Sequence, residues 1–294
     1  MAIFVSGASG LLGSALSAAL RAEGERVVAL VRRPVRGEDE VFWDPAAGSL
    51  DPSALEGATG VVHLAGAGVG DRRWTSAYKR EIVMSRVNGT RTLVGALTQL
   101  KEPPEVFVSA SGQDFYGDTG DRVIDESAPK GSGFLADLCE VWESEAAKSP
   151  CRNVQLRTSL VLSGSGGALG RMLPVFRVGL GAPLGSGRQY WAWIAVEDWV
   201  RATVHILRNR DVSGPVNMAS TEPVTNARFT TALGKAMGRP TMPIPVPGFA
   251  LSLALGEFAG EALLPSHRLQ PKKLVDSGYM FLHTRLDEAL SAVL

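Results

Sequence analysis

The residues with the clearest chemical capacity lie in a glycine-spaced turn, Gly7-Ala8-Ser9-Gly10-Leu11-Leu12-Gly13, between apolar Ile3-Phe4-Val5 and the run Ser14 to Leu20. A strand passing through Gly-x-x-Gly-x-x-Gly into a helix is suited to hold a pyrophosphate. The first glycine permits the turn, the second lets the phosphates approach the backbone, and the third lets helix and strand pack closely. Free N–H groups at the helix start add donors and positive dipole character. Gly7, Ser9, Gly10, Leu11, Leu12 and Gly13 are therefore the expected phosphate contacts. The next apolar run, Arg26 to Val31, ends in Arg32-Arg33. A carboxylate at that place bonds the ribose 2′-hydroxyl of NAD, whereas arginine accommodates a 2′-phosphate. Arg32 and Arg33 thus predict NADP(H); the competing reading makes them two solvated surface cations.

Other reactive side chains are scattered. Ser111 closes the strand Val106 to Ser111 and is placed either to bond a substrate oxygen or to bond backbone. Tyr116 follows it and is read either as a proton donor, its pKa lowered by Arg86, or as a packing tyrosine. The segment Gly185 to Trp193 brings Arg188 to grip an anionic substrate group and Trp193 to wall a pocket, with core packing of the aromatics as the alternative. His63 lies among Val and Leu and reads as a core histidine. Asp125 and Glu126 read as solvated. His205, His267 and His283 have no spacing that suggests a metal site or a triad, and no metal is expected.

These groups need a scaffold. Apolar strands alternate with amphipathic helices through the first half, at Arg26–Val31, 61–66, 77–100, 106–111, 134–147, 153–162 and 215–219, which predicts an α/β fold of the doubly wound, Rossmann type with a parallel sheet. Asp198 is expected to cap the helix ending at Leu207. The glycine-rich stretch 164–190 and the proline-spaced stretch Thr241 to Pro247 break the alternation. The expected division is a nucleotide-binding domain, 1–163 with 191–220 returning to it, and a smaller substrate lobe, 164–190 with 221–294. Phe249 to Leu255 is the most apolar stretch and reads as a packed helix. The chain has 294 residues with 30 basic and 30 acidic side chains, so no bulk field draws nucleic acid or an anionic membrane. Two cysteines, Cys139 and Cys151, suit neither a disulfide framework nor a zinc cluster. Met1 leads straight into the first strand, and no apolar run reaches spanning length, so a reducing, cytoplasmic setting is expected.

The chain resembles the extended short-chain dehydrogenases/reductases, and within them the atypical NAD-dependent epimerase/dehydratase group, the YfcH-like epimerase family. The resemblance rests on the opening turn, the strand end Val62-His63-Leu64-Ala65-Gly66, and a collinear series of segments. These are Arg73-Trp74-Thr75, Ser85-Arg86, Gly133-Phe134-Leu135-Ala136, Trp142-Glu143, Arg157-Thr158, Gly166 to Leu169, Gly185 to Gln189, Asn217, Glu222 to Asn226 and Leu269-Gln270-Pro271. It implies a Rossmann-type domain with a smaller C-terminal lobe and NADP(H) bound with help from Leu64, Ala65, Gly66, Arg86 and Ser109. Extended members of the family also carry a Tyr-x-x-x-Lys pair for proton transfer. Here the corresponding helix begins Phe134-Leu135-Ala136-Asp137-Leu138-Cys139, so neither tyrosine nor lysine is present, and Arg86 stands for the usual asparagine. Two functions follow. One is an NADP(H)-dependent oxidoreductase or epimerase-like enzyme acting on a small carbonyl or hydroxyl compound through Ser111 and Tyr116. The other is a non-catalytic NADP(H)-binding sensor. The oligomeric state is open.

Overall fold

Alternation of buried β-branched strands with one-sided helices produces the expected architecture. The structure, a computed structural model, describes residues 2–294. Five strands occupy the first part of the chain: β1 Ala2–Ser6, β2 Arg26–Val31, β3 Glu40–Phe42, β4 Gly60–His63 and β5 Val106–Gly112. Between them lie helices α1, Leu11–Ala22, and α2, Ser76–Thr98, while α3, Phe134–Ala146, follows β5. With Arg152–Thr158 and Gly214–Met218 they build a seven-strand parallel Rossmann-like sheet. From one edge its order is Gly214–Met218, Arg152–Thr158, β5, β4, β1, β2, β3. The pairings from β3 through β5 are parallel, with Ser6 opposite His63 and His63 opposite Ser109. β1 lies between β4 and β2, so the chain reverses its winding direction there. In open α/β sheets the crevice at the carboxyl ends of such strands is where ligands bind.

Two compact units divide the chain differently from the expected domains. One holds the chain through Ser111 with Leu138–Leu156 and Thr203–Val216; the other holds Gly112–Asp137, Arg157–Ala202 and Asn217–Leu294. The second is therefore not a small lobe, and less of the chain returns to the first unit than predicted. Backbone pairing gives the reason. Val123–Ile124 pairs with Arg268–Leu269, Leu160–Leu162 with Trp193–Ala195, and Tyr190–Trp191 with Val224–Thr225, each inside the second unit. The single strand expected over 153–162 is interrupted at Ser159, whose N–H and Oγ both bond the Met218 carbonyl.

Each unit has its own core. In the first, Phe4, Val28, Leu30, Trp43, Val61, Leu93, Leu97 and Phe107 form one buried cluster. In the second, Leu162, Leu169, Phe176, Trp193, Phe229 and Leu290 form another. The apolar helix Gly248–Leu255 departs from expectation: Leu251 is buried, but Phe249 and Leu253 are 78% and 79% exposed. Asp198 does not cap its own helix. Its fully buried carboxylate accepts the Leu282 and His283 N–H groups and the Tyr279 hydroxyl, fastening the C-terminal segment to helix Val196–Arg208. Among the described residues no helix is long and apolar enough to cross a membrane, and no side-chain group is arranged to hold a metal ion.

Candidate functional site

The glycine turn divides its labour between folding and an open face. Gly7 has φ +72°, a conformation L side chains rarely adopt, and a Cβ there would lie 2.9 Å from Ala65 N and Leu64 C. Gly13 packs against the turn, where a Cβ would stand 2.8 Å from Gly7 C and 2.9 Å from Ala8 Cα. Gly10 is different. Its φ of −76° suits any residue, and a Cβ would meet only the Gly7 oxygen, at 3.3 Å. It is the N-cap of α1, without a capping side chain and without an acidic residue in the first turn. Ser9 and Gly10 are exposed beside it. The helix start thus presents N–H donors and positive dipole to open space, a cradle that a side chain at position 10 would fill. This donor set fits a pyrophosphate.

At the end of β2 the two arginines behave differently. Arg32 is exposed. Arg33 is engaged by Glu40 of β3: Nη1 donates to Oε2 at 2.8 Å, Nη2 donates to Oε1, and Nη1 also bonds the Pro34 carbonyl at 2.9 Å. Hydrogen bonding from Arg33, followed by that from the Arg36 N–H, holds the Glu40 carboxyl down at about 2. Of the two arginines expected to meet a phosphate, Arg33 is therefore held by a bidentate carboxylate and Arg32 is not.

The loop after β4 is fixed from beneath. Ser6 Oγ accepts the N–H groups of Leu64 at 3.2 Å and Ala65 at 3.3 Å, and shares a hydrogen bond with His63 Nδ1 at 2.6 Å. Burial, with the Arg86 charge, pushes His63 down to about 3, so the ring stays neutral inside the fold. Gly89 of α2 lets that helix approach the ring, since a Cβ there would lie 3.1 Å from His63 Cε1. Beyond Ala65 the loop is held by α2: Ala67 N–H donates to Ser85 Oγ, and Arg86 Nη1 donates to the Ala67 carbonyl at 2.9 Å. Gly66 is exposed and backs onto Arg86, whose guanidinium stands 4.8 Å from the Trp142 ring centroid. Arg86 thus shapes this loop. Ser109, the further expected cofactor contact, is fully buried, and its hydroxyl bonds the Ala110 carbonyl at 3.2 Å.

At the carboxyl end of β5, Ser111 Oγ donates to Glu143 Oε1 at 2.6 Å. Glu143 lies on α3, the helix whose start lacks the Tyr-x-x-x-Lys pair. Trp142-Glu143 carries part of the family resemblance, but nothing local in the sequence ties Glu143 to a serine 32 residues earlier.

Several expected site residues turn out otherwise. Tyr116 is buried, donates to Asn217 Oδ1 at 2.7 Å and accepts from Arg157 Nη1 at 2.9 Å. Burial pushes its phenol up to about 12 against the opposing pull of Arg157, so the predicted lowering by Arg86 does not occur. A phenol so partnered is a structural hydroxyl. Trp193 is fully buried in the second core, its Nε1–H given to the Glu222 carbonyl, and it is no pocket wall. Arg188 is exposed, on a turn stabilised by its N–H bond to Ser186 Oγ. Glu126, expected in solvent, is buried and accepts the Asn217 and Lys273 N–H groups; burial raises its carboxyl.

The model of the NAD dependent epimerase/dehydratase family matches residues 3–219, and a domain of unknown function, DUF1731, matches 246–293. This chain belongs to the epimerase/dehydratase family. An epimerase family protein of Mycobacterium bovis is 45% identical over 291 residues, covering 98% of this chain and 96% of the relative. The Bacillus subtilis epimerase family protein YfhF is 32% identical and covers 100% and 98%. A crystal structure of the human epimerase family protein SDR39U1 with NADPH superposes with a TM-score of 0.92 at 32% identity, covering 100% of this chain and 99% of that one.

Proposed function

We propose that this member of the family binds NADP(H) and transfers hydride to or from a small carbonyl or hydroxyl compound, with Ser111 and Glu143 handling the proton. The observation that carries the reading is the open cradle at Gly10, where the fold leaves a capless helix N-terminus although nothing in the backbone there demands glycine. The exposed Arg32 at the end of β2 supports a 2′-phosphate, and the human relative was crystallised with NADPH. In this reading the turn Gly7–Gly13 holds the pyrophosphate and the loop Leu64–Ala65–Gly66 borders the cofactor. The bound nicotinamide supplies or accepts the hydride.

Ser111 and Glu143 then stand in for the missing pair. A substrate hydroxyl bonded to Ser111 Oγ passes its proton to that oxygen as the serine proton moves to Glu143 Oε1. In the carbonyl direction both protons return. Tyr116, buried and bonded to Asn217 and Arg157, takes no part. Calorimetric titration tests the cofactor: NADPH should bind at least tenfold more tightly than NADH, about 1.4 kcal/mol, and binding of neither overturns the reading. A panel of small aldehydes, ketones and sugar-nucleotide ketones, followed by NADPH absorbance, tests the chemistry. Turnover by the wild type that survives in both Ser111→Ala and Glu143→Gln would remove the proton relay. A second reading, a non-catalytic NADP(H) sensor, draws on the absent tyrosine and lysine. Tight NADPH binding without turnover of any panel member favours it.

A further inference from the structure

Two stretches of the second unit carry no charged side chain, residues 178–187 and residues 241–256. The backbone holds them side by side. Met242 N–H donates to the Gly181 carbonyl at 2.8 Å, Val246 N–H to the Pro183 carbonyl at 2.8 Å, and Gly185 N–H to the Val246 carbonyl at 2.9 Å. The helix Gly248–Leu255 continues the second stretch, and its start stays beside the first. Cβ atoms added at Gly185 and at Gly248 would meet the same Leu264 side chain, at 2.8 and 3.3 Å. On these joined segments Val178, Leu180, Met242, Ile244, Phe249 and Leu253 stand in water, at 68%, 58%, 42%, 73%, 78% and 79% exposure. Together they leave on the order of 800 Å² uncovered, the area each partner gives to a standard interface and beyond the roughly 300–600 Å² of the largest apolar patch on a typical monomer.

The surface suits side-chain contact rather than strand addition. Pro243, Pro245 and Pro247 have no N–H, and the Met242 and Val246 N–H groups are spent on the neighbouring stretch. Phe249 and Leu253 lie one helical turn apart on one face. A two-fold axis lays that face against its own copy, Phe249 of one protomer over Leu253 of the partner subunit. No like charges meet there, because the stretches hold none. The whole chain balances 30 basic against 30 acidic side chains, so two copies carry no net repulsion. A lipid surface is a poorer match: the helix has no lysine or arginine, and Glu257 and Glu261 follow it.

We infer that this face, where the DUF1731 match begins, is the interface of a two-fold homodimer. The inference stands apart from the cofactor reading, and NADPH binding or its absence bears on neither outcome below.

Light scattering and sedimentation velocity on the full chain, from about 1 to 50 μM, read the mass. The wild type should reach twice the chain mass at the upper concentration and dissociate on dilution. Phe249→Glu and Leu253→Glu alter exposed side chains, so each should keep the wild-type circular dichroism. Each sets like charges into the contact and should weaken association at least about tenfold. Met280→Glu, at a side chain 80% exposed on another segment, should leave the dimer intact. Mixing Phe249→Cys with Leu253→Cys protein under mild oxidation should give covalent pairs faster than either variant alone. A wild type that stays monomeric at about 50 μM overturns the inference. So does a dimer undiminished by both glutamates, or one that Met280→Glu disrupts as fully. A monomer that floats with phosphatidylcholine vesicles assigns the face to lipid instead.

Discussion

Replacing Gly10 and Gly13 should separate cofactor binding from folding within a single turn. At Gly13, inside α1, a methyl group runs into the Gly7 carbonyl, its oxygen first and its carbon at 2.8 Å, and into Ala8 Cα at 2.9 Å. Both are backbone atoms in a turn that also packs on Leu64 and Ala65, so relief requires the turn to open. Alanine gains about 1 kcal/mol in helix propensity over glycine, while forcing a methyl into a packed site costs about 1–3 kcal/mol. With the clash on backbone, the upper end of that cost applies, so Gly13→Ala should lose about 2 kcal/mol net and lower the melting temperature by about 4–8 °C. At Gly10 the backbone is ordinary and a Cβ meets only one oxygen at 3.3 Å, so the folding cost is that of a poorer N-cap, about 0.5–1 kcal/mol. A side chain there fills the space in front of the free N–H groups. Gly10→Val should lose NADPH affinity by at least tenfold, about 1.4 kcal/mol, and still unfold in one transition close to the wild type. Thermal melts and fluorescence titration with NADPH, run side by side, read both effects. Undiminished NADPH binding by Gly10→Val would show that the cradle does not hold the phosphates.

Asp198→Ala leaves the half-buried Leu282 and His283 N–H groups without their acceptor, while the Tyr279 hydroxyl keeps the residue 198 backbone carbonyl, and should cost on the order of 2 kcal/mol; a urea midpoint equal to the wild type would refute the fastening role. Burial holds His63 at about 3 and His267 at about 4, so the folded protein refuses protons that the unfolded chain accepts below about 6.5. That stability is complete above the unfolded value and is lost as pH falls, at about 1.4 kcal/mol per pH unit for each ring. Urea melts between pH 6 and 5 should thus be less steeply pH-dependent for His267→Asn than for the wild type, and an identical slope would count against a neutral buried ring. The Glu40 carboxyl carbon should titrate near 2 by NMR, so its pairing contribution is complete above the ordinary carboxylate value and is lost progressively as pH falls from there through about 2. A midpoint near 4.5 would mean that Arg33 does not hold it in solution.

The sequence by itself determined the glycine turn, the strands β1, β2, β4 and β5, the helices α1 to α3, and the parallel α/β class. These depend on glycine conformation, hydrophobic period and caps such as Thr75, whose Oγ1 accepts the Tyr78 N–H at the start of α2. All are set by neighbours a few residues apart, so a linear reading reaches them. Only the tertiary structure decided which polar groups remain available. Glu40 removed Arg33 from a pair that looked uniform, and Glu143 joined Ser111 across 32 residues. Asn217 satisfied Tyr116 across 101 residues, and Asp198 turned from its own helix to the chain 84 and 85 residues later. Charge and hydroxyl chemistry depends on burial and on through-space partners, and residue type alone fixes neither. The division into units followed the same logic, because short strands such as Val123–Ile124 have no strong local signal and took their place from a partner far along the chain.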